Sequence, residues 1–350
     1  MIDLSHAHLG DFGKPDQRSG AALDYGPPGG AEPLRAAAAD WYGVPPDRLA
    51  VTTGASLGLT AALASLQGGV RLLCPRPCYP HYPRLAALLG LDIAYFDLIP
   101  ERGWQARPED ILSLAAAGPA VLLVNWPSNP TGALPSDDVL EAIADARRRH
   151  GSEIISDETY GDFVYGGRPP FDLAGLIGPA SVVSIKSGSK LLNCPGERLG
   201  FAIAEPERLI RLCHAHWTIA LSPPAFAQAV GLARFRGDLH QELASLRQAL
   251  EAQRDLLVAL LEASHLFSLV PPAGGTFLWV KSNAADGDAQ ALLARSAKRG
   301  LKVASGQGFG DASANWFRIS FAADSGALRR AAGILIQSAE DLIGNDRRHG

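Results

Sequence analysis

The chain has 350 residues, 32 of them basic and 36 acidic, for a formal net charge of −4. A length of this order accommodates two domains, or one large domain with an appendage. The charges are mixed along the chain, leaving no basic stripe for nucleic acid, and no apolar run reaches the roughly 20 residues that a membrane-spanning helix requires.

The start, Met1-Ile2-Asp3-Leu4-Ser5-His6, carries no basic n-region of the secretory kind, so a cytoplasmic protein is expected. The four cysteines, Cys74, Cys78, Cys194 and Cys213, show no paired CxxC spacing and read as reduced thiols, with no metal site expected. The run Tyr25-Gly26-Pro27-Pro28-Gly29-Gly30 is rich in turn formers, and a linker is placed near 25–32. Next, Thr52-Thr53-Gly54-Ala55-Ser56 opens an Ala/Leu-rich helix whose first N–H groups, at Ala55 and Ser56, suit a phosphate. A strand at 70–74 is followed by Pro77-Cys78-Tyr79-Pro80, where Tyr79 offers a face for stacking on a planar ring.

Short apolar runs at 120–125, 153–157, 181–186 and 199–204 end where polar residues begin, alternating with segments of helical period. That alternation predicts an α/β fold with a largely parallel sheet and ligand chemistry beyond the strand ends. A long helix is predicted at 239–261, then a strand at 276–280, a helix at 289–299 and a strand at 316–321. These form an α+β second part. We divide the chain into a large domain, 30–240, and a small one, 1–29 with 241–350.

Three strand ends carry the chemistry. The first runs from Ser187-Gly188-Ser189-Lys190 to Gly196-Glu197-Arg198-Leu199-Gly200. A desolvated lysine can form a Schiff base with an aldehyde cofactor, and the hydroxyls of Ser187 and Ser189 with Arg198 suit a phosphate. A solvated surface loop fits this segment equally well. The second is Asn125-Trp126-Pro127-Ser128-Asn129-Pro130-Thr131-Gly132, where Asn129, held extended before proline, can donate to a phenolate; a plain turn is the alternative. The third is Asp157-Glu158-Thr159-Tyr160: Asp157 can keep a ring nitrogen protonated and Tyr160 can bond a ring oxygen, while Asp157 can equally cap a following helix.

In this order the residues resemble the fold-type-I enzymes of pyridoxal 5′-phosphate (PLP), specifically the class I/II aminotransferases. The resemblance runs from Tyr25 to Arg318 and is carried by Ser187, Ser189, Lys190, Gly196, Arg198 and Gly200, by Asn129–Gly132, and by the pair Asp157 and Tyr160. It implies a mostly parallel seven-stranded sheet flanked by helices, with a smaller α+β domain. It further implies PLP on Lys190, Tyr79 as the stacking aromatic, Ala55 and Ser56 as phosphate binders, and a homodimer in which Tyr25 reaches the partner's phosphate. Asn315-Trp316-Phe317-Arg318-Ile319-Ser320-Phe321 resembles the family's strand whose arginine grips the substrate α-carboxylate, as an arginine among apolar neighbours requires a buried anion. An internal salt bridge is the competing account of Arg318.

The chain departs from the family's pattern at three places: the N-terminal Leu4-Ser5-His6-Ala7-His8-Leu9-Gly10, Ser305-Gly306 in place of Pro-Gly, and the absence of an arginine before Pro223-Pro224. The last argues against aspartate or glutamate as dedicated donor. A side-chain pocket of Trp126, Tyr82 and 217–221 is expected to favour neutral or aromatic amino acids. The expected reaction is amino-group exchange between an amino acid and a 2-oxo acid. A C–S β-lyase or amino-acid decarboxylase on the same fold is the enzymatic alternative, and a PLP-sensing regulatory module the non-enzymatic one, disfavoured because no segment is left over for binding DNA.

Overall fold

The computed structural model describes residues 25–66, 68–283, 289–310 and 313–349. The atypical segment at 4–10, and most of 1–29, fall outside the described residues.

Seven strands, β1 (Leu49–Thr52), β2 (Arg71–Arg76), β3 (Ile93–Asp97), β4 (Ala120–Asn125), β5 (Glu153–Asp157), β6 (Val182–Ser187) and β7 (Gly200–Ile203), form one sheet in the order β1-β7-β6-β5-β4-β2-β3. The pairs from β6 through β3 are parallel, and β7 runs antiparallel to both of its neighbours. Only the short 188–199 connection separates β6 from β7, too little for a crossover with a full helix, so the chain turns back antiparallel.

Strands β4 and β6 are buried along their whole length because helices cover both faces of the sheet. Alternate residues serve alternate faces. Val121, Leu123, Ile155, Val183 and Ile185 pack with Leu59, Leu63, Leu85 and Leu212 on one side. On the other, Leu122, Val124, Ile154 and Val182 pack with Ile111, Ile143 and Leu173. Two residues beyond Ile155 on the first face stands Asp157, and two beyond Ile185 stands Ser187.

A 24-residue helix, Leu239–Glu262, leads to a second, antiparallel sheet of β8 (Phe267–Leu269), β9 (Phe277–Ser282), β10 (Ala304–Ser305) and β11 (Trp316–Ser320), in the order β10-β11-β9-β8. Its pairing places Arg318 opposite Trp279 on one side and Ala304 on the other. The predicted strands and the long helix are all present within two residues of their predicted ends, whereas β1, β3, β8 and β10 were not anticipated. β1, β8 and β10 span only four, three and two residues, too short for a pattern of period two to register. β3 lies at the sheet edge and is half-buried.

Candidate active site

The helices after β2 and β4 cover opposite faces of the sheet, so the order of connection reverses between these two strands, where open α/β sheets form a ligand crevice at their carboxyl ends. A cleft of about 370 Å³ lies there. Ala55, Ser56, Tyr79, Asn129, Asp157, Tyr160, Ser187, Ser189, Lys190, Arg198 and Arg318 all border it, together with Asn125, Tyr82, Thr159 and Phe277. Residues from both sheets, as far apart in sequence as Ala55 and Arg318, thus converge on one space.

Asp157 ends β5 and is buried. No helix follows it. Its Oδ1 accepts from the Thr159 N–H at 3.0 Å and its Oδ2 from the Tyr82 hydroxyl at 2.8 Å. Burial pushes its carboxyl up, opposed by the hydrogen bonds from Thr159 and Tyr82 and by His81. Among the described residues no lysine or arginine pairs with it. A buried carboxylate in this state lacks a cation, and a protonated ring nitrogen supplies one.

Lys190 sits in the short helix Gly188–Leu191, with Nζ 5.6 Å from the centre of the Tyr160 ring. Burial lowers its proton affinity, and the positive charge of Arg318 lowers it further, favouring the neutral amine that a nucleophile needs. Tyr160 stands edge-on to Phe277 at 5.7 Å, and burial pushes its phenol up to about 12, so it is a hydrogen-bond donor at neutral pH.

Arg198 and the start of the helix Gly54–Ala64 form one end of the cleft. Gly54 has φ +78°, and a Cβ there would lie 2.5 Å from Arg198 Nη2; a Cβ on Gly200 would lie 2.6 Å from the Ala55 nitrogen. Two glycines therefore let the guanidinium and the helix N-terminus approach closely. Arg198 Nη1 donates to Ser189 Oγ at 3.3 Å. N–H groups, hydroxyls and a guanidinium together match the acceptors of a phosphate.

At the opposite end, Arg318 is half-buried, with Cζ 3.9 Å from the centre of the Phe277 ring and 5.1 Å from that of Phe309. Nη1 donates to Asn129 Oδ1 at 2.7 Å, and among the described residues the guanidinium forms no ion pair. The internal salt bridge is therefore ruled out for the described residues. Asn129 is itself fixed by Asn125, whose Oδ1 accepts from the Asn129 N–H at 2.7 Å while its Nδ2 donates to the Asp157 carbonyl. With its oxygen held by Arg318, the Asn129 amide keeps its NH₂ for a ligand.

Not every expectation about the pocket holds. Trp126 is turned away, packed on Phe171 at 5.8 Å, and neither it nor the 217–221 segment borders the cleft. Tyr82 borders it but is spent on Asp157. Tyr25 lies outside the cleft and is 62% exposed; next to it, Gly26 N–H donates to Ser222 Oγ at 3.1 Å. Ser305 does serve the turn before β11: its hydroxyl accepts from Gln307 N–H and from Gln290 Nε2, the latter at 2.8 Å.

Two features escaped the sequence reading. Tyr82, expected to line the substrate pocket, stands three residues after Tyr79 on the buried side of the following helix, which aims it at the strand ends. Asn125, at the end of β4, pairs in register with Asp157, a cross-strand relation that the local sequence does not show.

Residues 14–335 match the family described as aminotransferase class I and II. An S-alkyl-thiohydroximate lyase of Arabidopsis thaliana is 33% identical over 198 residues, covering 54% of this chain and 43% of that protein. An aspartate/prephenate aminotransferase of Thermus thermophilus is 27% identical over 316 residues, 88% of this chain and 81% of that one. A solved Thermus thermophilus aspartate aminotransferase variant superposes with TM-score 0.83 at 26% identity, covering 90% of this chain and 88% of the other. The chain spans about half the length of the curated plant relatives it matches first. A family match across nearly the whole chain, a shared fold and a converged cleft agree: this protein belongs to the class I and II aminotransferases.

Proposed function

We propose that the chain binds PLP and exchanges the amino group of a neutral or aromatic amino acid with a 2-oxo acid. One observation carries this reading: a single cleft holds a lysine of lowered proton affinity, a buried carboxylate without a cation and a guanidinium without an anion. A cofactor with a protonated ring nitrogen and a substrate with a carboxylate complete both unpaired charges.

The residues fit the cofactor. Ala55, Ser56, Ser187, Ser189 and Arg198 would hold its phosphate, Tyr79 its ring face, Asn129 and Tyr160 its phenolic oxygen, Asp157 its ring nitrogen and Lys190 its aldehyde carbon. Bound there, PLP supplies an electron-withdrawing ring that weakens the bonds at the substrate's α-carbon. Arg318 would grip the α-carboxylate in a charge-assisted pair and so orient the α-carbon in the cleft. Lys190 Nζ, as a neutral amine beside that carbon, would take up and return its proton. Asp157 would hold a proton on the ring nitrogen.

Substrate range follows from the cations. Lys190, Arg198 and Arg318 are the lysines and arginines lining the cleft among the described residues, and each already has a role. A side-chain carboxylate would be left unpaired, at a cost. A dimer in which Tyr25 of one subunit completes the other's phosphate site belongs to the same proposal, since Tyr25 is exposed and away from its own cleft.

A lyase reading has one observation in its favour, the relative named as an S-alkyl-thiohydroximate lyase. The products separate the two. With PLP-loaded protein, each amino acid is offered with 2-oxoglutarate, and a new amino acid, pyruvate with ammonia, or an amine is scored. New amino acid from leucine or phenylalanine supports exchange; pyruvate and ammonia from a cysteine conjugate alone would replace it with the lyase. Borohydride should fix PLP covalently in the wild type and not in Lys190→Ala.

A further inference from the structure

A second cavity, of about 550 Å³, lies at the other end of the same strands, bordered by Arg208, Arg211, His150 and Glu153. Its charges do not balance. Arg208, on the helix Pro206–Ala220, keeps only 11% of its side chain exposed and donates through Nη2 to Glu153 Oε2. Arg147 approaches the other oxygen of the same carboxylate, Oε1, at 3.5 Å. Two guanidinium groups thus share one carboxylate, and Arg211, which has no ion pair among the described residues, is a second arginine on the wall beside Arg208. Arg208 Nη1 is buried with no hydrogen-bond partner. Burial and the neighbouring Arg147 and Arg211 lower the proton affinity of Arg208, against the pull of Glu153.

The helix ends that meet here do not account for these arginines. The helix Asp137–His150 is closed by Gly151, whose N–H reaches the Ala146 and Arg147 carbonyls. Arg147 bonds the Gly151 carbonyl at 3.3 Å, Arg71 bonds the Leu114 carbonyl at 3.0 Å, and Ser65 Oγ bonds the Ala62 carbonyl at 2.7 Å. Arg208 and Arg211 donate to none of them. The remaining wall is apolar, with Ala62, Val70, Ile155 and Val183, and the volume falls in the range of small-molecule sites.

We infer that this cavity binds a small organic anion, a phosphate ester or a carboxylate, between Arg208 and Arg211, with its organic part on the apolar wall. An anion there relieves the repulsion among three guanidinium groups, and Glu153, already held by two of them, does not repel it strongly.

Titration calorimetry on the PLP-loaded protein tests this, because the cofactor then fills the phosphate end of the active-site cleft. Glycerol 3-phosphate, inorganic phosphate and glutarate are the probes, with glutarate titrated in an Arg318→Ala background to silence the other carboxylate site. Saturable binding of one probe per chain is expected, weakened about tenfold or more by Arg211→Ala, as for loss of a charged partner. Arg208→Gln should weaken it as well; the exposed Arg211 position keeps the test valid if that buried variant fails to fold. Tighter phosphate ester than glutarate identifies a phosphate ligand, and the reverse a carboxylate. No saturable binding of any probe, or binding unchanged in Arg211→Ala, overturns the site.

Discussion

Tyr82 donates its hydroxyl to Asp157 Oδ2 at 2.8 Å, and both side chains are buried at the end of the sheet. The phenol's proton affinity is raised by burial and by the Asp157 charge, so it remains a donor. Tyr82 thereby steadies the carboxylate in its charged form without touching the substrate. Tyr82→Phe should keep the fold and PLP binding but lower kcat by about tenfold, the low end for a hydrogen bond to a charged group of about 1.5–3 kcal/mol. KM for the amino acid should move little, and the loss should grow as pH falls and the carboxyl is protonated. A kcat within twofold of wild type across the pH range would reduce Tyr82 to packing.

Arg318 lends itself to a test that separates substrate binding from stability. Because its guanidinium is half-buried and has no ion pair among the described residues, removing it from the free protein leaves no carboxylate stranded. Arg318→Ala should therefore leave Tm unchanged or slightly higher while kcat/KM falls for every amino acid alike, by about 2–5 kcal/mol in transition-state binding. A drop in Tm of several degrees alongside a small kinetic effect would make it a structural residue.

Much of the site was legible in the sequence because its residues stand at the ends of apolar strands, where local pattern and chemistry coincide. Asp157 closes β5, Ser187 closes β6 and Asn129 follows β4 by four residues. What was not legible depends on pairing between distant segments. The bond from Asn125 to Asp157 crosses from β4 to β5, and Trp126 turned out to serve the core because the face it occupies is set by Phe171. Nor did composition reveal that Lys186 and Lys190, four residues apart, face opposite sides: Lys186 lies under the sheet with Glu158, while Lys190 enters the cleft.

That Lys186–Glu158 pair is buried, with side chains 6% and 0% exposed. Glu158 also accepts from Ser184 Oγ at 3.1 Å and from Leu173 N–H at 3.2 Å, and Lys186 donates to the Phe171 carbonyl. Removing one partner strands the other charge, so Lys186→Met should cost about 3–5 kcal/mol in denaturant unfolding. Combining it with Glu158→Gln should recover part of that loss, since Glu158 is then no longer stranded while the buried Asp162 still loses the Lys186 charge. Equal destabilisation of the single and double variants would show that packing, not charge, dominates there.

His216 is buried behind the turn at Thr53, which leads into the helix whose start is proposed to hold the phosphate. Its Nε2 accepts from the Thr53 N–H at 3.0 Å, and its Nδ1 faces the Leu221 carbonyl at 3.2 Å. The two contacts fix the tautomer: Nδ1 carries the proton and donates, while Nε2 offers its lone pair. A second proton would set N–H against N–H at Thr53, the residue just before the helix Gly54–Ala64 that presents Ala55 and Ser56. Burial lowers the His216 pKa from 6.5, outweighing the Leu221 contact. The unfolded chain therefore binds this proton before the folded one does. The contribution to stability is complete above the unfolded value of about 6.5 and is lost as pH falls from there toward the folded pKa. Thermal unfolding followed between pH 8 and 5 should show wild type losing stability more steeply than His216→Gln, whose side-chain oxygen accepts from Thr53 without titrating. PLP affinity should decline over the same window in wild type and stay flatter in the variant. Parallel pH profiles for the two proteins would remove His216 from the support of the proposed phosphate site.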